Sequence, residues 1–233
     1  MIRLYQYEIS PFCDKVRRAL WYKGQDFEVD NVTVAETLRG RLKKLGPAGK
    51  VPVLEIDGER TADSTDIVEM LEHRFPEPAL YPDDPMQRAL VHVLEDWADE
   101  SLYFYEVRLR FAEPHNAKRW IPEALKYDSP PVTWLAARLL PGVMSRTADA
   151  QGVGRKPKAT LEQDLRRHFH AIEQLLVGDW LVGKQLTLAD IAVFVQIDCL
   201  RGTEEGERLL RECPRTLDWL ARVDAATSPS SRP

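Results

Sequence analysis

The residues of this chain best suited to chemistry stand near its start, in Ser10-Pro11-Phe12-Cys13 followed by Lys15, Val16 and Arg17. A hydroxyl and a thiol so close together are the groups of sulfur chemistry. The hydroxyl can donate a hydrogen bond that favours a thiolate, and the thiol can attack a disulfide or enter a mixed disulfide. Ile2 to Tyr7 read as a short strand, and Pro11 suits the first turn of a helix, where its missing N–H is no loss and its φ is already helical. Ser10 is then the expected N-cap. Phe12, Val16, Ala19 and Leu20 form an apolar stripe on that helix, Arg17, Arg18 and Lys23 are expected to face water, and Gly24 ends it. The unpaired N–H groups and positive dipole end at such a terminus favour an anion, whether a bound carboxylate, a thiolate or an ionised Cys13.

Two further segments could complete a binding site. Lys50-Val51-Pro52-Val53-Leu54 leads into a short strand that turns at Asp57-Gly58 into Glu59 to Thr61. Proline at a strand entrance leaves the edge open, and with a cis Val51-Pro52 bond the N–H and C=O of Val51 face outward, where an extended peptide can pair with them. In Asp63-Ser64-Thr65-Asp66, Ser64 is expected to cap a helix carrying Ile67, Val68 and Leu71, with Asp63 presenting a carboxylate beside it. A ligand with a free amine and carboxylate fits there.

The order and spacing of these three segments resemble the thioredoxin-like domain of the glutathione transferase superfamily, and the resemblance covers the whole chain. It implies an α/β thioredoxin-like domain over residues 1–76 with the order β-α-β-α-β-β-α, a linker over 77–85, an all-α helical-bundle domain over 86–226 and a frayed tail over 227–233. Glutathione is the implied co-substrate, held by Phe12, Lys50, Val51, Pro52, Asp63 and Ser64: Val51 pairs its backbone with the cysteinyl part, and Asp63 with Ser64 holds the γ-glutamyl end. Thr187-Leu188-Ala189-Asp190 looks like the family's capping box, opening an apolar helix through Ile191, Ala192 and Val195.

Glutaredoxin-like members carry Cys-Pro-Phe/Tyr-Cys, and omega-like transferases keep its first cysteine. Here Ser10 stands at that place, which resembles tau-like transferases, whose serine hydroxyl stabilises the glutathione thiolate. Cys13 falls on the resolving position. Ser10 and Cys13 are therefore the catalytic candidates, with Ser10 favoured. The implied function is a glutathione transferase that attacks a small electrophilic or apolar substrate, as in detoxification. Two other functions stand beside it: thiol transfer or reduction by Cys13, and a non-catalytic module that binds apolar ligands or docks a protein. Tyr103, Phe104, Tyr105, Arg108 and Phe111 are candidates for an acceptor wall, Tyr5 and Tyr7 read as packing residues, and the resemblance implies a homodimer.

The remaining elements position these groups. With 233 residues and 44% apolar content, two modest domains with real cores are expected. Four prolines between Phe75 and Pro85 mark the boundary. Beyond it, Leu90, Val93, Leu94, Trp97 and Ala98 mark one helix face, and Leu161, Leu165, Phe169, Ile172 and Leu176 another, with interrupted helices over 113–157. Gly152-Val153-Gly154 lacks phosphate-loop spacing and reads as a mobile connector. A net charge of −5 with interspersed signs argues against a nucleic-acid partner. Three cysteines, with Cys199 and Cys213 read as inert, argue against a disulfide framework or structural zinc. His73, His92, His115, His168 and His170 lack two-ligand helical spacing, so no metal is assigned. Without a signal-peptide pattern or a long apolar run, no membrane partner and a cytoplasmic location are expected.

Overall fold

In the computed structural model of the chain, residues 1–229 are described. Two compact units emerge: one comprises Met1–Ala79, Ile121–Arg138 and the C-terminal stretch from Thr227, the other Leu80–Trp120 and Leu139–Ala226.

The first unit is built on a four-stranded sheet in the order β2-β1-β3-β4, with β1 at Ile2–Gln6, β2 at Glu28–Asn31, β3 at Val53–Ile56 and β4 at Glu59–Ala62. β1 and β2 run parallel, so their connection must cross over, and helix α1 (Pro11–Tyr22) makes the crossing. β3 pairs antiparallel with both β1 and β4. The hairpin turn has Asp57 at φ 54° and Gly58 at φ 91°, the two left-handed residues that a tight two-residue turn needs. The expected second helix arrives as two short pieces, α2 (Val34–Leu38) and α3 (Arg41–Leu45), broken at Gly40 with φ 80°. Helix α4 (Ser64–Arg74) completes the unit and buries Ile67, Val68 and Leu71.

Cys13, Val16, Ala19 and Leu20 form the buried stripe of α1, while Phe12 is only half-buried. The expectation that Arg17, Arg18 and Lys23 face water is corrected. Arg17 and Arg18 fork onto Asp14 at 2.9 and 2.8 Å, and Lys23 donates to Glu72 at 2.6 Å and to the carbonyls of Phe75 and Pro78. A helix covered on several sides must pair its charges rather than hydrate them.

The second unit is helical. Its elements include α5 (Pro85–Trp97), a π-helical turn (Ala98–Leu102), α6 (Tyr103–Val107) and a second π-helical turn (Arg108–Ala112). There follow α7 (Pro114–Ala124), α8 (Pro130–Gln151), α9 (Lys158–Leu175), α10 (Leu188–Arg201), α11 (Glu204–Leu210) and α12 (Pro214–Thr227), of which the end of α7 and the start of α8 belong to the first unit. The α9 stripe is buried as expected, and α10 is buried along almost its whole length. The face expected on α5 is met in part: Ala98, just past the helix, is buried and Leu94 and Trp97 are half-buried, whereas Leu90 and Val93 are exposed and Val91 and Glu95 are buried. Gly152, expected in a connector, enters a 3-10 turn (Val153–Arg155) with Val153 buried.

Two boundaries differ from the sequence reading. Residues 121–138, expected in the helical bundle, cluster with the sheet unit. Thr227, expected to fray, is the last residue of α12, is buried, and accepts a 2.9 Å bond from Arg18. Residues 230–233 of that tail lie outside the described residues. No helix among the described residues is long and apolar enough to cross a membrane.

Candidate active site

Strand register brings the three predicted segments to one end of the sheet. Tyr5 lies opposite Val53 and Val53 opposite Ala62, so the exit of β1, the entrance of β3 and the exit of β4 are neighbours. Ser10 follows the first, Val51-Pro52 precedes the second, and Asp63-Ser64 follows the third.

Ser10 occupies the N-cap position of α1 in extended backbone, φ −76° and ψ 125°, with Pro11 starting the helix. Its hydroxyl makes no bond to the helix's own N–H groups. The loop before it is fixed instead by Ser10 N–H donating to the Tyr7 carbonyl at 3.1 Å and by Arg17, which reaches Gln6 Oε1 and the Glu8 carbonyl. Cys13 is fully buried. Burial pushes its thiol up to about 11, although Ser10, the Tyr7 backbone and Arg17 pull the other way. A thiol in that state is almost wholly protonated at neutral pH and a poor nucleophile.

The Val51-Pro52 bond is cis. Val51 packs against a cluster of Tyr5, Val32, Leu42, Leu45 and Val53. Neither its N–H nor its C=O is hydrogen-bonded within the described residues. Pro52 is buried and Lys50 exposed.

The cap of α4 is Asp63, not Ser64. The Asp63 carboxylate accepts from Thr65 N–H at 2.9 Å, and Ser64 is the first helical residue and buried. Asp63 is exposed and sits at φ 78°, ψ 133°, a left-handed backbone that an L-residue adopts only under strain of about 1–3 kcal/mol and that gathers at functional sites. Lys15, buried in α1, reaches the Thr65 hydroxyl at 3.4 Å and ties α1 to the start of α4. Its role was not legible, since a lysine on a helix reads as a solvated face.

The tyrosines behave as packing residues. Tyr5 is buried, donates to Glu55 at 3.3 Å and carries Arg41 and Arg60 over its ring. The Tyr7 hydroxyl pairs with Thr37. In the helical unit, Tyr105 is buried and donates to Asp164 at 3.2 Å, Arg108 pairs with Glu113 at 2.8 Å, and Phe111 is buried. Those three are committed to their own unit; Tyr103 and Phe104 are half-buried and pack edge to face at 5.1 Å.

One cluster escaped the histidine-spacing rule because segments distant in sequence build it: Glu113, His115 and Glu205 offer ligand atoms within 4.8 Å of one another. Lys158 lies 2.6 Å from Glu205, and Arg108 pairs with Glu113, so cationic side chains already neutralise both carboxylates. Cys199 accepts from Arg110 at 3.2 Å, and burial pushes the Cys213 thiol up to about 11.

The fold, a thioredoxin-like α/β unit with a helical unit, is one that its relatives share. Residues 4–79 match the family model "Glutathione S-transferase, N-terminal domain" and residues 142–228 the model "Glutathione S-transferase, C-terminal domain". The chain is similar to Protein LigF of Sphingobium sp. (strain NBRC 103272 / SYK-6), 37% identical over 245 residues, covering 96% of this chain and 90% of that protein. The crystal structure of Beta-etherase LigF from Sphingobium sp. strain SYK-6 superposes with a TM-score of 0.70 and 25% identity, over 99% of this chain and 98% of that one. A probable maleylacetoacetate isomerase of Caenorhabditis elegans is 39% identical over 87 residues, 37% of this chain and 41% of that protein. The chain thus spans about two fifths of the isomerases it matches. It belongs to the glutathione S-transferase family, a family of glutathione-dependent enzymes.

Proposed function

We propose that this chain is a glutathione transferase in which Ser10 donates a hydrogen bond to the thiolate of bound glutathione, Val51 pairs with its cysteinyl backbone, and Asp63 with Ser64 receives its γ-glutamyl end. Phe12, Lys50 and Pro52 border the same site. The observation that carries this reading is the contrast at the start of α1: the Ser10 hydroxyl spends nothing on capping, while the Cys13 thiol beneath it is buried and pushed up to about 11. The attacking sulfur is then the ligand's. Each unit by which the site lowers the glutathione thiol from its ordinary value is worth about 1.4 kcal/mol and tenfold in thiolate until the group is mostly ionised.

The electrophile we favour is an ether carbon, because the likeness to the beta-etherase covers 96% of this chain and the likeness to the isomerase only 37%. The thiolate attacks that carbon, a C–S bond forms, the C–O bond breaks, and the oxygen leaves with the electron pair and takes a proton from water. The same reading makes the enzyme a cytoplasmic homodimer, for which the exposed Met86, Leu90 and Val93 of α5 offer an apolar surface. A monomer mass in sedimentation would overturn the dimer.

Titration calorimetry with glutathione on the wild type and Ser64→Ala, followed by intact mass, tests the chemistry. Reversible binding that the variant weakens, with no adduct, is the expected result. A glutathionyl adduct on Cys13 would move the activity to thiol transfer, and apolar dye binding without glutathione binding would make the chain a non-catalytic module.

A further inference from the structure

The loop that delivers Ser10 is held by a segment far away in sequence but inside the same compact unit. Glu8 Oε2 accepts from the Tyr127 hydroxyl at 2.6 Å and pairs with Lys126 Nζ at 2.5 Å. The adjacent Asp128 reaches the start of α2, where its two carboxylate oxygens accept from Val34 N–H and Ala35 N–H, both at 3.0 Å. Thr33 Oγ1 accepts from Glu36 N–H at 3.1 Å, and the Glu36 carboxylate accepts from Thr33 N–H at 3.0 Å. All four donors from Thr33 to Glu36 are thus satisfied.

This matters because α2 has five residues and buries none of them. Neither its length nor its packing would keep such a helix formed. Capping is what remains, and half of it comes from outside, from Asp128. The Tyr7 hydroxyl, paired with Thr37 on α2, links that helix back to the loop before Ser10. The turn that carries Asp128 is itself anchored by buried Leu125 and by bonds from Asp128 N–H to the Leu125 carbonyl at 3.0 Å and from the Thr133 hydroxyl to the Asp128 carbonyl at 3.3 Å.

We propose that Lys126-Tyr127-Asp128 is a positioning element for the glutathione site, fixing the loop before Ser10 through Glu8 and α2 through Asp128, so that the site is formed before its ligand arrives. The inference rests on the glutathione reading above. None of the three residues touches the sulfur; each acts through the groups it holds, by the preorganisation that lets a site favour a developing charge without rearranging.

The test uses the full chain and the variants Asp128→Ala, Asp128→Asn and Tyr127→Phe. Amide hydrogen exchange is expected to quicken at Val34 and Ala35 in Asp128→Ala. Glutathione binding is expected to weaken roughly tenfold, and the bound thiol, followed by its ultraviolet absorbance, to titrate at higher pH. Asp128→Asn, which keeps one acceptor, is expected to fall between. Should Asp128→Ala fail to fold, Tyr127→Phe removes a single hydroxyl and carries the same measurement. Faster exchange with unchanged affinity and unchanged thiol titration would reduce the segment to a structural brace. Wild type that binds no glutathione would overturn the glutathione reading together with this one, whereas wild type that binds and variants that bind equally would overturn this one alone.

Discussion

Two helix starts in this molecule are built to opposite ends. At α10, Asp190 accepts from Leu181 N–H at 2.8 Å, Thr187 N–H at 2.9 Å, the Thr187 hydroxyl at 3.0 Å and Trp219 Nε1 at 2.9 Å, all in the dry interior of the helical unit. Burial pushes its carboxyl upward while those donors pull it back. At α1, Ser10 holds the N-cap position that Thr187 holds in α10, and it bonds none of its helix's N–H groups. A cap whose polar atoms are all consumed stabilises a fold; a cap that withholds them leaves donors for a ligand. Sequence alone shows two respectable caps, and only the surroundings tell them apart.

Asp190→Ala tests the buried start hardest. It strands four donors and is expected to lower stability by about 4 kcal/mol, read as a shifted urea midpoint at unchanged slope. Ser10→Ala should do the reverse, lowering turnover per bound glutathione by roughly ten- to hundredfold, with an unfolding midpoint indistinguishable from wild type; a matching loss of stability would erase the contrast. Asp63→Asn keeps a side-chain cap and a residue tolerant of left-handed backbone, so glutathione affinity is expected to fall several-fold, by about 1 kcal/mol, with stability unchanged. A smaller effect belongs to pH. Although burial opposes it, hydrogen bonds from Lys158 and Asn116 lower the Glu205 carboxyl to about 2. Its folded value lies below its unfolded one, so the stability it contributes is present above the ordinary carboxylate range and is lost as pH falls toward 2. Lys158→Met should flatten that part of an acid-unfolding profile. Smallest of all, Cys13→Ser should leave conjugation nearly intact.

Features governed by neighbours in sequence were legible. Pro11 and Gly24 bound α1, Asp57-Gly58 makes the hairpin, and Thr187 to Asp190 opens α10, because backbone conformation at each is dictated by one or two side chains. The offset between Ser64 and Asp63 arose because a cap at φ 78° is a choice that composition does not announce. The start of the α5 face was misread for a related reason: Leu90 and Val93 are spaced as regularly as Val91 and Glu95, and the buried pair holds a glutamate. Lys126-Tyr127-Asp128 was invisible, since Asp128 lies 94 positions from Val34 and Tyr127 lies 119 from Glu8. A carboxylate beside Ser129-Pro130-Pro131 reads as an ordinary turn until the fold shows whose amides it meets.

The two π-helical turns in the helical run from Pro85 to Ala112 act as an indexing device. Each accommodates about one residue more than a turn of α-helix, and one residue is about 100° of rotation. Beyond Leu102, every side chain as far as Ala112 is therefore dialled around the axis relative to an unbroken helix, and the extended backbone of Glu113 then ends the run. Tyr105, Glu106, Leu109 and Arg110 are among the side chains beyond the first step, and all four are buried. Deleting one residue within 98–102 would leave the helix free to run straight on and would turn those four toward a different side, so the length of this stretch carries information that its composition does not.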